Sequence, residues 1–222
     1  MGKIHEIINR WKVRGFLFDF DGTLVDTIDA YLHTYVELFQ EEFNLDIPSK
    51  EIIIHFGKPA YQIIQDVLKH ELTKEEMDML IKRREEIFIS RHLDKVKLID
   101  GSLDLLRYLK SQAIKLAIVT SSTKSMLVAI ASKFSLLNWF DVVITADDVA
   151  RGKPNPEPFT RAIDLLQLPA NSVVAIGDTL YDIISAKRAG IKVIFLTRDI
   201  HSNLLGTQER PELIINSFED LL

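Results

Sequence analysis

A chain of 222 residues with 47% hydrophobic content can bury a substantial core and has room for one large domain, or one domain carrying an insertion. A net charge of -5 and a pI near 5.7 give none of the basic footprint on which nucleic-acid binding relies, and the absence of cysteine excludes disulfides, thiolate metal sites and a cysteine nucleophile. Residues 1–12 lack a signal-peptide apolar core and no apolar run is long enough to span a bilayer, so the expectation is a soluble, cytoplasmic protein whose partner is neither nucleic acid nor membrane.

Val13 to Phe18 is apolar and aromatic, which reads as a strand buried on both faces. It runs into Asp19-Phe20-Asp21-Gly22-Thr23, two carboxylates one residue apart. In an extended chain alternate side chains share a face, so Asp19 and Asp21 are expected to point into one cleft beyond the strand, with Gly22 turning the chain away. Carboxylate oxygens are the ligands that Mg²⁺ prefers, yet an isolated Asp-x-Asp reads more readily as a strand end and a polar turn.

The next stretch changes period. From Asp26 or Thr27, apolar residues at Ile28, Tyr31, Leu32, Tyr35, Val36, Phe39 and Phe43 follow helical spacing, broken at Asp46-Ile47-Pro48-Ser49. Ser49 to His55 and Ala60 to Lys69 read as further helices around a Phe56-Gly57-Lys58-Pro59 turn. Thr73 with Glu76 is a capping-box pattern opening another helix, with Met77, Leu80, Ile81, Ile87 and Phe88 on its apolar side. Residues 27–93 are therefore expected to form an all-helical insertion, leaving 1–26 and 94–222 as two segments of one core domain.

After Asp100-Gly101, apolar runs at Ile114–Val119, Val142–Ile144, Val173–Ile176 and Val193–Phe195 alternate with helical segments near 103–111, 124–134, 156–168 and 182–189. Leu213–Ile215 looks like one more strand, followed by a last helical turn. The fold class is thus α/β: a Rossmann-like parallel sheet with helices on both faces, plus an inserted helical cap. The oligomeric state is left open.

In an open parallel sheet, ligands bind beyond the carboxyl ends of the strands. Asp19 and Asp21 follow the first strand, Thr120, Ser121 and Ser122 the second, Lys153 lies in the loop after the third, and Gly177-Asp178 follows the fourth. Each has a plainer reading: Thr120 to Ser122 as a helix cap, Lys153 as a solvated lysine, Asp182 as a partner of the helix dipole. Four strand ends carrying such groups together favour a site. Phosphoryl transfer suits the set. A carboxylate nucleophile and a phosphate oxygen about 4 Å apart repel by about 4 kcal/mol at an effective dielectric of ~20, so cations and donors must offset the charge. Asp19 and Asp178 can hold Mg²⁺, Lys153 can neutralise a phosphoryl oxygen, and the Thr120 hydroxyl with backbone N–H groups near Phe20 and Ser121 can donate to the others. Asp19 must be anionic to attack, whereas Asp21 must carry a proton for the leaving alcohol and later take one from water.

Asp19-Phe20-Asp21-Gly22-Thr23, Thr120, Lys153 and Gly177-Asp178 with Asp182 together resemble the four ordered motifs of the haloacid dehalogenase-like superfamily, over nearly the whole chain. The resemblance implies an aspartyl-phosphate on Asp19 and Asp21 as general acid/base. It implies phosphate binding by Thr120, Ser121 and Lys153, and Mg²⁺ held by Asp19, Asp178 and the backbone carbonyl of Asp21, with Asp182 acting through water or by orienting Lys153. The insertion is similar to the small helical cap of the phosphoglycolate phosphatase and β-phosphoglucomutase group, where Lys58 and Tyr31 would contact substrate. A Mg²⁺-dependent phosphomonoester hydrolase acting on a small phosphorylated metabolite is the expected activity. A phosphosugar mutase, pyrophosphatase, nucleotidase or phosphonate hydrolase of the same superfamily are the alternatives. Thr23 stands where the mutases usually carry an aliphatic residue.

Overall fold

The computed structural model of the protein, which describes residues 2–197 and 208–222, begins with helix α1 (Lys3–Trp11) and strand β1 (Gly15–Phe18). A short ribbon, β2 (Val25–Asp26) antiparallel to β3 (Lys97–Leu98), marks where the chain departs and returns. Between them lie α2 (Ile28–Phe43), α3 (Ser49–Ile53), α4 (Ala60–Leu68) and α5 (Lys74–Ile87), then a π-helical turn at Phe88–His92 and a 3-10 turn at Leu93–Lys95. The Thr73–Glu76 capping box forms as its sequence signature requires. The chain continues through α6 (Ser102–Ser111), β4 (Lys115–Val119), α7 (Lys124–Lys133), β5 (Val142–Ile144), α8 (Glu157–Leu166), β6 (Val173–Gly177), α9 (Leu180–Arg188), β7 (Lys192–Leu196) and β8 (Leu213–Ile215).

Six strands form one parallel sheet in the order β5-β4-β1-β6-β7-β8. This is the expected α/β fold. Alternation along the strands divides the core in two: Phe16, Phe18, Ile118 and Ile176 face α6 and α7, whereas Leu17, Ala117 and Ala175 face Phe159 of α8 and Ile183 of α9. Strands covered on both faces need the continuous apolar runs found here.

The order of the strands also locates the site. The chain moves from β1 outward through β4 to β5, then crosses back to place β6 on the other side of β1. Such a reversal opens a crevice at the carboxyl ends of the strands beside it. Phe18 is in register with both Ile118 and Ile176, so Asp19, Thr120 and Asp178 emerge at nearly one level.

Two details differ from the sequence reading. Helix α1 was not anticipated: it is only nine residues long, too short for a stable isolated helix, and the packing of Ile4 and Ile7 with an Ile4 N–H bond to the Leu221 carbonyl (2.8 Å) holds it. The first strand also ends at Phe18, so strand alternation does not bring Asp19 and Asp21 together. Asp19 N–H extends the ladder to the Ile176 carbonyl (2.9 Å); the Phe20 carbonyl then accepts from Thr23, Leu24 and Val25, and this turn carries Asp21 to the crevice.

Candidate active site

Asp19 is buried, and its Oδ1 accepts the Phe20 N–H at 2.7 Å and lies 3.0 Å from the Lys153 ammonium. Lys153 is buried as well, 2.6 Å from Asp182 Oδ1 and over the Phe159 ring. The other Asp182 oxygen accepts the Thr179 hydroxyl (2.6 Å) and Thr179 N–H (3.0 Å), closing the capping box of α9. Asp182 therefore has both oxygens engaged, and neither Asp182 nor Lys153 is among the residues that line the cavity at Asp19. Burial costs the Lys153 ammonium its hydration, but Asp182 and Asp19 outweigh that and raise its pKa.

Asp178 Oδ1 accepts the Thr23 hydroxyl at 2.8 Å. Gly22 makes that approach possible, since a Cβ there would sit 2.2 Å from Asp178 Oδ2 and the residue has a φ of +83°. One oxygen from each of Asp19, Asp178 and Asp182 falls within 4.8 Å of the others. Burial, reinforced by Asp182 and Asp178, pushes the Asp19 carboxyl well above the ordinary carboxylate range, with Lys153 opposing. Three buried carboxylates against one ammonium leave an excess of negative charge, and an all-oxygen donor set of this kind fits a hard divalent cation such as Mg²⁺.

Asp21 accepts the Thr27 hydroxyl at 2.9 Å and the Ser122 hydroxyl at 2.6 Å, one on each oxygen. Burial raises its pKa, and these two hydrogen bonds partly reverse the rise. Because Ser122 gives its proton to Asp21, the 3.2 Å contact between Tyr31 and Ser122 has the Tyr31 hydroxyl as donor. Thr120 accepts the Ser122 N–H at 3.0 Å, which leaves its own hydroxyl proton to donate. Ser121 instead gives its hydroxyl proton to the Gly57 carbonyl (3.0 Å), tying β4's loop to the turn before α4.

Asp19, Asp21, Thr120, Ser121, Asp178, Tyr31 and Lys58 line one cavity of about 70 Å³, several times the room a single water needs. Lys58 lies on its rim already engaged: Asp66 accepts its ammonium at 2.6 Å, and His55 is 3.2 Å away. One charged wall residue escaped the sequence reading. Arg84 of α5 is buried, its Nη1 donates to the Tyr35 hydroxyl at 3.0 Å, and its guanidinium lies over the Tyr31 and Tyr35 rings. A signal existed, because position 84 continues the apolar stripe of Met77, Leu80, Ile81, Ile87 and Phe88. Among the described residues, no helix is long and apolar enough to cross a membrane.

The family model for haloacid dehalogenase-like hydrolases matches residues 16–196. Over 211 residues the chain is 28% identical to a putative pyrophosphatase PpaX of Caldanaerobacter subterraneus subsp. tengcongensis, covering 95% of this chain and 94% of the relative. It is 31% identical over 180 residues to a putative pyrophosphatase PpaX of Clostridium perfringens, covering 81% and 82%. Among solved structures, CbbY from Rhodobacter sphaeroides in complex with phosphate shares the fold with a TM-score of 0.82 and 23% identity, over 94% of this chain and 96% of that one.

Proposed function

We propose, from the premise that this chain belongs to the haloacid dehalogenase-like hydrolases and is a phosphatase, that it hydrolyses a small phosphorylated metabolite through an aspartyl-phosphate on Asp19. The observation that carries this reading is the meeting of Asp19, Asp21, Thr120 and Asp178 in one buried cavity, with Lys153 held against Asp19.

In the first half-reaction an Asp19 oxygen bonds to phosphorus, the bond from phosphorus to the leaving oxygen breaks, and Asp21 delivers its proton to that oxygen. Water then attacks the phosphorus of the acyl phosphate, Asp21 takes its proton, and the Asp19 carboxylate and inorganic phosphate separate. Burial favours the protonated Asp21 that the first step requires. Lys153, the Thr120 hydroxyl and backbone N–H groups beyond β1 and β4 stabilise the phosphoryl oxygens, with Asp182 fixing Lys153 in place. Asp19, Asp178 and the Asp21 carbonyl would hold Mg²⁺, which when bound supplies neutralisation of the phosphoryl charge.

Residues 27–93 act as a cap over a core of residues 1–26 and 94–222. Supporting this, Ser121 bonds to Gly57 and the Thr123 hydroxyl donates to Glu85 at 2.5 Å, so core loops and inserted helices meet across the cavity. Closure excludes bulk water from the acyl phosphate.

A phosphoanhydride is the second reading, favoured by the relatives named pyrophosphatase. The same groups serve, with phosphate as the leaving group. Phosphate release from a panel of phosphorylated metabolites and pyrophosphate, with Mg²⁺, tests both; an Asp19→Asn variant that keeps wild-type turnover would refute the nucleophile assignment.

A further inference from the structure

Arg84 carries a charge where charges are seldom found. It is 4% exposed and stands within the apolar stripe of α5, and burying a guanidinium is costly unless partners satisfy it. Its partners are few: the Tyr35 hydroxyl on Nη1 and the faces of Tyr31 and Tyr35, with ring centroids 5.3 and 5.6 Å from the guanidinium carbon. Among the described residues no carboxylate comes within ion-pair distance of it, and Nε and Nη2 have no hydrogen-bond partner.

These two nitrogens are neighbours on one edge of the planar guanidinium, the edge that grips a carboxylate or phosphate through two parallel N–H bonds. Arg84 lines the same cavity as Asp19 and Thr120. The other cation of the inserted helices on that wall, Lys58, is already held by Asp66 and His55. Tyr31 and Tyr35 flank the guanidinium and Tyr31 is also bonded to Ser122, so the cation is fixed in place.

We propose that Arg84 is the receptor for a second anionic group on the substrate, a carboxylate or a second phosphate, carried within the same small molecule as the phosphoryl group that Asp19 accepts. This rests on the phosphatase reading and narrows it to doubly anionic substrates. A substrate with an uncharged tail leaves two buried N–H groups unpaired, and a site built to hydrogen-bond a group discriminates strongly against its absence.

The experiment compares kcat/KM, with Mg²⁺ present, for pyrophosphate, phosphoglycolate and methyl phosphate in the wild type, Arg84→Lys and Arg84→Gln. One of the first two is expected to exceed methyl phosphate by roughly 10- to 100-fold in the wild type, as charge-assisted hydrogen bonds allow. Which of them does so separates a phosphate from a carboxylate as the second anion. Arg84→Gln should erase that ratio, chiefly through KM, and Arg84→Lys should restore only part of it, since lysine keeps the charge but loses the fork. A wild type with no preference, or a ratio unchanged in Arg84→Gln, overturns the proposal. Should the variants fail to fold, thermal shift of the wild type decides: methylenediphosphonate or phosphonoacetate is expected to bind at least about 10-fold more tightly than methylphosphonate, and equal binding of all three overturns it. This binding arm stands apart from turnover, so a wild type that releases no phosphate from any substrate refutes the phosphatase reading while the binding ratio still judges Arg84.

Discussion

Lys153 Nζ stands 3.0 Å from Asp19 Oδ1, and both residues are buried beneath the crevice at the carboxyl end of β1. With Asp182 on its other side, Lys153 is, among the described residues, the one cation bonded to two of the three clustered carboxylates. Removing that cation leaves the buried carboxylates uncompensated, at a cost of about 3–5 kcal/mol. Lys153→Met is therefore expected to lower the Tm of the metal-free protein by on the order of 10 °C and to abolish measurable phosphate release. Calorimetry alongside a turnover assay checks both, and a variant with unchanged Tm would show that the network is not a stability element.

The raised pKa of Asp19 has a consequence for stability with a definite sign. Burial and the neighbouring Asp182 and Asp178 make the folded protein hold this proton more tightly than the unfolded chain does. Stability from this group is present at low pH and is lost as pH rises from the ordinary carboxylate range through the raised folded value. Asp19→Asn removes the buried charge, so the metal-free variant is expected to be more stable than the wild type at neutral pH, with the gap closing on acidification. Mg²⁺ should narrow the same gap at neutral pH by stabilising the wild type. Paired melting curves from pH 4 to pH 8 measure this, and a gap that widens toward acid would reverse the assignment.

Gly22 joins backbone conformation to a carboxylate proposed to hold Mg²⁺. An alanine there places its Cβ 2.2 Å from Asp178 Oδ2 and must also adopt a φ of +83°. Gly22→Ala is expected to destabilise the fold by about 1–3 kcal/mol and to weaken Mg²⁺ activation by displacing Asp178. Chemical denaturation and a Mg²⁺ titration of activity check the two effects, and a variant with wild-type Mg²⁺ dependence would show that Asp178 has freedom to move.

Asp19, Thr120 and Asp178 were readable because a parallel sheet puts the ends of its apolar runs on one side, and each of these residues follows such a run directly. The helices of residues 27–93 were equally visible, since their periodic apolar faces and the Thr73 capping box are local. What escaped the sequence depends on how side chains pair in space. Lys58, in the turn before α4, pairs with Asp66 of that helix, and this turns a lysine that looked available for substrate into one already bonded. Arg83 and Arg84 are adjacent in a charged run, yet Arg83 bridges to Glu41 and Glu42 at the surface while Arg84 is buried against Tyr31 and Tyr35. The packing of α5 on α2 separates them, and the sequence's sign of it is that position 84, unlike 83, falls in the apolar stripe of α5. The Asp-x-Asp geometry was likewise misread in detail, because the turn around Phe20 does what strand alternation was expected to do.

That turn also sets the environment of Asp21, whose two oxygens accept from Thr27 and Ser122. Both hydrogen bonds favour the carboxylate and oppose the upward push of burial. In its proposed role as general acid, Asp21 must enter the reaction protonated, so activity is expected to fall as pH rises through its folded pKa. Thr27→Val removes one of the bonds that lower this pKa while preserving shape. The alkaline limb of kcat/KM should therefore move to higher pH, and Ser122→Ala should move it the same way. Asp21→Asn should eliminate the limb along with most of the rate. A pH–rate profile of the three variants decides the matter: a limb that stays in place in Thr27→Val, or moves to lower pH, would mean that a group other than Asp21 supplies the proton.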